Sequence, residues 1–208
     1  MGNEKLKEHI ENILKLTAIR LKDVYDNHKE MDGCFKESMF NSRLVFPKYR
    51  DDKTRISEQE LRFCFVEVFN EYCNLKELPL YYSVETPTSG IYNFKGKTPK
   101  QQSGNIDLVI YNDKLKRVCL IEFKACNAEK SEHEKDLLKL NNEEKGNEDL
   151  LRYFVETVKS YNNGTLSSLK NKISTKGDDT LFRCYALESK ESESYEDITE
   201  KIYKAKLK

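Results

Sequence analysis

The chain has 208 residues, of which 38% are hydrophobic and 11% aromatic, enough for one sizeable buried core. Charged residues make up 35%, and 36 Lys and Arg balance 36 Asp and Glu, so the formal net charge is zero. That balance excludes long-range attraction to a polyanion, so a nucleic-acid partner must meet a local basic patch, and no apolar run reaches membrane-spanning length.

Residues 4–29 carry Leu6, Ile10, Ile13, Leu14, Thr17, Leu21, Val24, Tyr25 and His28 at three-four spacing, which predicts one long amphipathic helix. The stripe suits packing on the core better than a dimer seam, because it is short for a coiled coil. An irregular segment follows over 31–53, broken by Gly33 and Pro47, and its aromatics (Phe35, Phe40, Phe46, Tyr49) predict that it lies on the body. In "RISEQELRFCFVEVFNEYCNL", Ser57 is an N-cap and Glu60 its capping-box partner, opening a second helix. Its buried face is Leu61, Cys64, Phe65, Val68, Phe69 and Tyr72.

"PLYYSVETP" predicts a strand stopped by Pro87, and the loop after it sets Lys95, Lys97 and Lys100 among Tyr92 and Phe94. "GNIDLVIYNDKLKRVCLIEFKA" predicts a β-hairpin with its turn near "NDKLK". The period then changes from two to 3.6, which predicts helices in "SEHEKDLLKLNN" and again in "NEDLLRYFVETVKSY". A break at "NNG" leads to a short helix, "TLSSLKNKI"; "DTLFRCYALE" predicts a strand and "YEDITEKIYKAKL" a closing helix. The order implies an α/β (mixed α+β) fold, a central mixed sheet of about four strands flanked by helices. The hairpin pairs antiparallel, and the last strand, reached by a helical crossover, can be parallel. Residues 1–53 form an N-terminal helical extension and residues 54–208 the main domain.

The cysteines (Cys34, Cys64, Cys73, Cys119, Cys126, Cys184) include no C-x-x-C pair, and several sit in apolar runs, so reduced core thiols are favoured over disulfides or a zinc site. Cys126 with His133 is the best zinc alternative, without a partner pair at finger-like spacing. The charged opening "MGNEKLKEHI" differs from a secretory signal, and a cytoplasmic location is expected.

The hairpin poses the chemical question. With Tyr111 facing Val118 and Val109 facing Leu120, Asp107 faces Glu122, and directly opposed Cβ atoms lie only about 4.5–5.5 Å apart. Two carboxylates that close repel unless a cation sits between them, and Mg²⁺ or Mn²⁺ favours such oxygen ligands. Lys124 shares the face of Glu122 by the period of two, whereas Cys119, Ile121 and Phe123 form the opposite, apolar face. Val109, Tyr111, Val118 and Leu120 make the acidic face apolar along most of its length, so the charges mark a cleft at its end rather than a solvated surface. Acidic groups that hold a metal, with a lysine to position water and offset phosphate charge, can hydrolyse a phosphodiester.

Asp107, fourteen intervening residues, then Glu122-Phe123-Lys124 resembles the signature of the PD-(D/E)xK nuclease superfamily. The order of elements from Ile56 to Glu188 resembles its restriction-endonuclease-like core, and Ile106 stands where the superfamily's name has proline. The resemblance implies Asp107, Glu122 and Lys124 as catalytic residues, with Asp107 and Glu122 as metal ligands for Mg²⁺ or Mn²⁺. A further glutamate from the preceding helix is implied. Glu58, three residues before Leu61, is favoured over Glu60, which the capping box explains, and it joins the catalytic and metal-binding set. Lys135 or Lys139 could supply the basic residue such proteins place on the next helix, although a solvated face explains both. The resemblance implies DNA as partner, contacted by Lys95, Lys97 and Lys100 unless that loop is an ordinary one. It leaves open a homodimer through the N-terminal helix. The competing reading is a catalytically inactive nuclease-fold protein that binds nucleic acid or regulates a partner.

Overall fold

Two amphipathic helices come first, and both bury the stripes that their spacing dictates. In the computed structural model, which describes residues 2–29, 42–92, 102–126, 128–189 and 194–206, they span Asn3–Lys29 (α1) and Glu58–Leu75 (α2). Leu6, Ile10, Ile13, Leu14, Leu21, Val24 and Tyr25 of α1 join Leu61, Cys64, Phe65, Val68, Phe69 and Tyr72 of α2 in one buried cluster. Charge reinforces the join, because the Arg20 guanidinium donates two bonds to the Glu71 carboxylate and lies 3.6 Å from Glu67. At the start of α2 the Glu60 carboxylate accepts the Ser57 backbone N–H at 3.0 Å and the Ser57 hydroxyl. Phe46 is fully buried edge-on to Tyr25, so part of the irregular segment does lie on the body.

Among the described residues the sheet has six strands, not about four: Tyr81–Tyr92 (β1), Gln102–Tyr111 (β2), Arg117–Ala125 (β3), Leu151–Val158 (β4), Thr180–Ala186 (β5) and Glu196–Asp197 (β6). They lie side by side in chain order, with β1–β2–β3 an antiparallel meander, β3–β4–β5 parallel and β6 antiparallel to β5. The parallel steps run through helices Lys130–Asn142 (α3) and Asn163–Lys172 (α4), and a short helix, Thr199–Lys204 (α5), closes the described chain. β1 does not stop at Pro87 but runs through it to Tyr92; as an edge strand with one neighbour among the described residues, β1 can spare the missing N–H.

β4 corrects the helix expected in "NEDLLRYFVETVKSY". All eight of its residues, Arg152 and Glu156 included, are buried between helices on both faces, so the strand lacks the apolar–polar alternation of a half-buried one. Leu151, Tyr153 and Val155 face the α1–α2 cluster, whereas Phe154 and Val158 face a second cluster built with Leu137 and Leu140 of α3, Leu166 and Leu169 of α4, Ile198 just before α5 and Ile202 within it. The sheet is therefore the middle layer of three. α1 is tied to it directly, since Glu11 accepts the Tyr153 hydroxyl at 3.0 Å and the Arg183 guanidinium. Cys64, Cys73, Cys119 and Cys184 are buried free thiols, as expected of core cysteines. Among the described residues, no helix is long and apolar enough to cross a membrane.

Candidate functional site

The expected hairpin forms around a turn at Asn112–Lys116, where the Asn112 side-chain oxygen accepts the backbone N–H groups of Lys114 and Lys116. Val109 pairs with Leu120 and Leu108 with Ile121, which places Asp107 opposite Glu122 by continuation of the register. Tyr111, however, pairs with Arg117 rather than Val118, because a bulge follows Ile110. The bulge turns Val118 onto the α1–α2 side with Cys119, whereas Val109, Leu120 and Tyr111 pack on the α3 side.

Glu122 lies one period beyond Leu120, on the α3 face, and is almost fully buried. Lys139 of α3 sits 2.5 Å from its Oε1, outside the alignment of a well-formed hydrogen bond, and Oε2 has no partner among the described residues. Lys124, near the carboxyl end of β3, is held from both faces of the sheet. Its ammonium lies 3.0 Å from Glu58 Oε1 on α2 and 2.6 Å from Asp136 Oδ2 on α3. Asp136 also meets Lys139 at 2.8 Å, and Lys139 donates a further bond to the Asn105 carbonyl at 2.7 Å. Asp107 closes the group. Its Oδ2 accepts the backbone N–H of Phe123 at 2.8 Å, just beyond the last β2–β3 pair, and its Oδ1 accepts from Arg62 Nη2 of α2 at 2.9 Å. Arg62 forks, donating through Nη1 to Glu85, a residue at φ +49° inside β1.

The four expected residues therefore sit together, at the amino end of α2 and against the inward side of α3. Glu58, not Glu60, reaches Lys124. Four further charged residues were not singled out as site residues: Arg62, Glu85 and Asp136, and Lys139, for which a solvated face was favoured. Lys139 is 5% exposed and lies between two carboxylates and the Asn105 carbonyl, whereas Lys135 is exposed. A signal for α3 existed: His133, Asp136 and Lys139 recur every three residues beside Leu137 and Leu140, on the face turned to the sheet. Arg62 likewise lies three residues before buried Phe65. Nothing local announces Glu85.

The electrostatics follow from burial and crowding. Burial raises the Glu122 carboxyl well above its ordinary range, and Asp136 and Asp107 add to this more than Lys139 offsets. Burial also raises Glu58, with Asp107 and Asp136 contributing, although Lys124 opposes the shift. Burial disfavours both ammonium groups, yet Asp136 and Glu58 raise Lys124 above its ordinary value, and Glu122 and Asp136 do the same for Lys139. Asp136 is lowered in spite of burial, by Lys139 and Lys124. Five carboxylates (Glu58, Glu85, Asp107, Glu122, Asp136) thus face three cations (Arg62, Lys124, Lys139). With every group ionised, the cluster is short of two positive charges.

An all-oxygen donor set with a buried, unpartnered Glu122 oxygen fits a hard divalent cation. Among the described residues, no three His, Cys, Asp or Glu side chains already stand as a metal cage. The zinc alternative finds no support in the geometry: His133 engages the Glu129 carbonyl and Glu156 at 3.0 Å each, and the Cys126 thiol points to the Thr157 carbonyl. Lys95, Lys97 and Lys100 lie outside the described residues. At the hairpin tip, Arg117 folds back onto Glu143 at 2.6 Å and the Pro87 carbonyl at 3.2 Å, while Lys114 and Lys116 are exposed. Compared with protein-family models, curated proteins and solved structures, the chain finds no match.

Proposed function

We propose that the protein is a metal-dependent nuclease that hydrolyses phosphodiester bonds in DNA, built on a restriction-endonuclease-like core of the PD-(D/E)xK type. One observation carries the reading: Glu58, Asp107, Glu122 and Lys124 meet from three separate elements, around a buried Glu122 oxygen without a partner. Burying a carboxylate that is incompletely bonded is costly, so a site that keeps one has a use for it. The meander with Asp on its second strand and E-x-K on its third, followed by a helical crossover to a parallel strand, supports the core assignment. The choice of DNA rests on the family resemblance.

Asp107 and Glu122 would hold the ion, with Glu58 beside them. A bound Mg²⁺ or Mn²⁺ supplies an acidified water and stabilises charge on the phosphate. Lys124 has three N–H donors and spends two on Glu58 and Asp136, which leaves one to orient a phosphate oxygen or water. Gripped by two carboxylates, Lys124 stays protonated and suits electrostatic stabilisation better than proton abstraction. The Phe123 N–H fixes the Asp107 carboxylate against the end of β3.

The second reading, a catalytically inactive nuclease-fold module that binds nucleic acid or regulates a partner, draws on a different observation. Arg62 and Lys139 already neutralise Asp107 and Glu122 from within the chain. Supercoiled plasmid incubated with Mg²⁺ or Mn²⁺ separates the two. Nicking or linearisation by the parent chain, lost in Asp107→Ala and Lys124→Ala, is the expected result; equal traces from all three proteins reject the nuclease.

A further inference from the structure

We propose that Arg62 is a latch on the metal site: its guanidinium occupies Asp107 when no divalent ion is bound, and an entering ion must take Asp107 from it while Glu85 retains the displaced arginine. The inference rests on the metal-dependent reading above and adds a regulatory step to it.

Two cations neutralise the expected ligands, and they differ in how firmly they are seated. Lys139 sets its ammonium between the Glu122 and Asp136 carboxylates and donates to the Asn105 carbonyl. It is 5% exposed and has no reason to leave. Arg62 is buried too, but its Nε has no partner among the described residues, so this seat leaves a buried donor unmet. Its second anchor, Glu85, has a side chain 52% exposed on the edge strand of the sheet. The Glu85 backbone is in the left-handed region, between the pairs Val84–Leu108 and Thr86–Ile106 and so beside Asp107. For a residue other than glycine that conformation is strained, and strain of this kind persists at sites that switch. A guanidinium that bridges a ligand carboxylate and a half-exposed carboxylate can swing from one to the other without losing its charge partner. The Phe123 N–H holds Asp107 in place while the exchange occurs.

The test is Mn²⁺ affinity, measured by calorimetry on the full chain without nucleic acid, for the parent, Arg62→Gln and Arg62→Lys. Gln removes the competing charge. Lys keeps the charge but lacks the planar fork with which Arg62 meets Glu85 through Nη1 and Asp107 through Nη2. The latch predicts that R62Q binds Mn²⁺ about tenfold tighter than the parent, a coupling of ordinary size, and that R62K also binds tighter, by less. R62K alone carries the test if R62Q does not fold. Equal affinity in all three proteins overturns the latch and leaves the metal site standing. Tighter binding by R62Q with R62K unchanged also overturns it, because overall charge then accounts for the effect. Absence of Mn²⁺ binding in every protein overturns the latch together with the metal-dependent reading.

Discussion

Replacing Lys139 with Met tests whether the interior of the site is held together by charge. Met keeps the length of the lysine stem and removes only the ammonium. Asp136 retains Lys124 at 2.6 Å, so the group left without a counter-charge is Glu122, which is 1% exposed. Breaking one side of a buried ion pair costs about 3–5 kcal/mol, chiefly because the remaining charge stays buried. In a chain of this size each kcal/mol lowers the melting temperature by roughly 2–4 °C, so the expected fall is about 6–20 °C. Urea unfolding at pH 7 gives the free energy directly, provided that the slope is unchanged. Adding Glu122→Gln should then restore much of the loss, with a coupling of up to about 3 kcal/mol, because the amide needs no counter-ion. A K139M variant within about 1 kcal/mol of the parent, or a strictly additive double variant, refutes the buried pair.

Ser57→Ala removes the hydroxyl that meets Glu60 at the amino end of α2 and should cost about 0.5–2 kcal/mol by chemical denaturation, without abolishing folding. The Glu122 carboxyl is raised in the folded protein, so the folded state binds more protons than the unfolded one above the ordinary value of 4.5. Its stabilising contribution is complete at low pH and is lost as pH rises from there through the raised folded value. Glu122→Gln should flatten that limb of a stability–pH curve, and an unchanged slope places the titration elsewhere. Burial raises the thiols of Cys64, Cys119 and Cys184, which should resist a water-soluble disulfide reagent in the native protein, whereas Cys126, half-buried, reacts first among the described cysteines. Peptide mapping of the labelled chain reads this out, and early labelling of Cys119 contradicts the core packing.

Local signals carried the elements whose periodicity shows in a single segment. The stripe of α1, the capping box of α2 and the alternation of the hairpin each express one element's own burial, and each appears in the structure. β4 stayed hidden because burial on both faces, Arg152 and Glu156 included, removes the alternation that marks a half-buried strand, although Tyr153, Phe154, Val155, Thr157 and Val158 give it the aromatic and β-branched content of a strand. The extension of β1 beyond Pro87 depends on its having one neighbouring strand among the described residues, which is a property of the sheet. The same division runs through the site. Asp107, Glu122 and Lys124 are related by strand register and could be grouped from the sequence. Arg62, Asp136 and Lys139 owe their roles to partners 45, 12 and 17 residues away in the chain, and Glu85 to a backbone conformation that its side chain does not favour.

Diffraction from crystals grown with Mn²⁺, recorded near the manganese absorption edge, locates the ion without reference to activity. The predicted anomalous peak lies within bonding distance of both the Asp107 and Glu122 carboxylates. Ordered manganese elsewhere on the molecule, with those two side chains still closed on Arg62 and Lys139, contradicts a divalent-ion site at this hairpin.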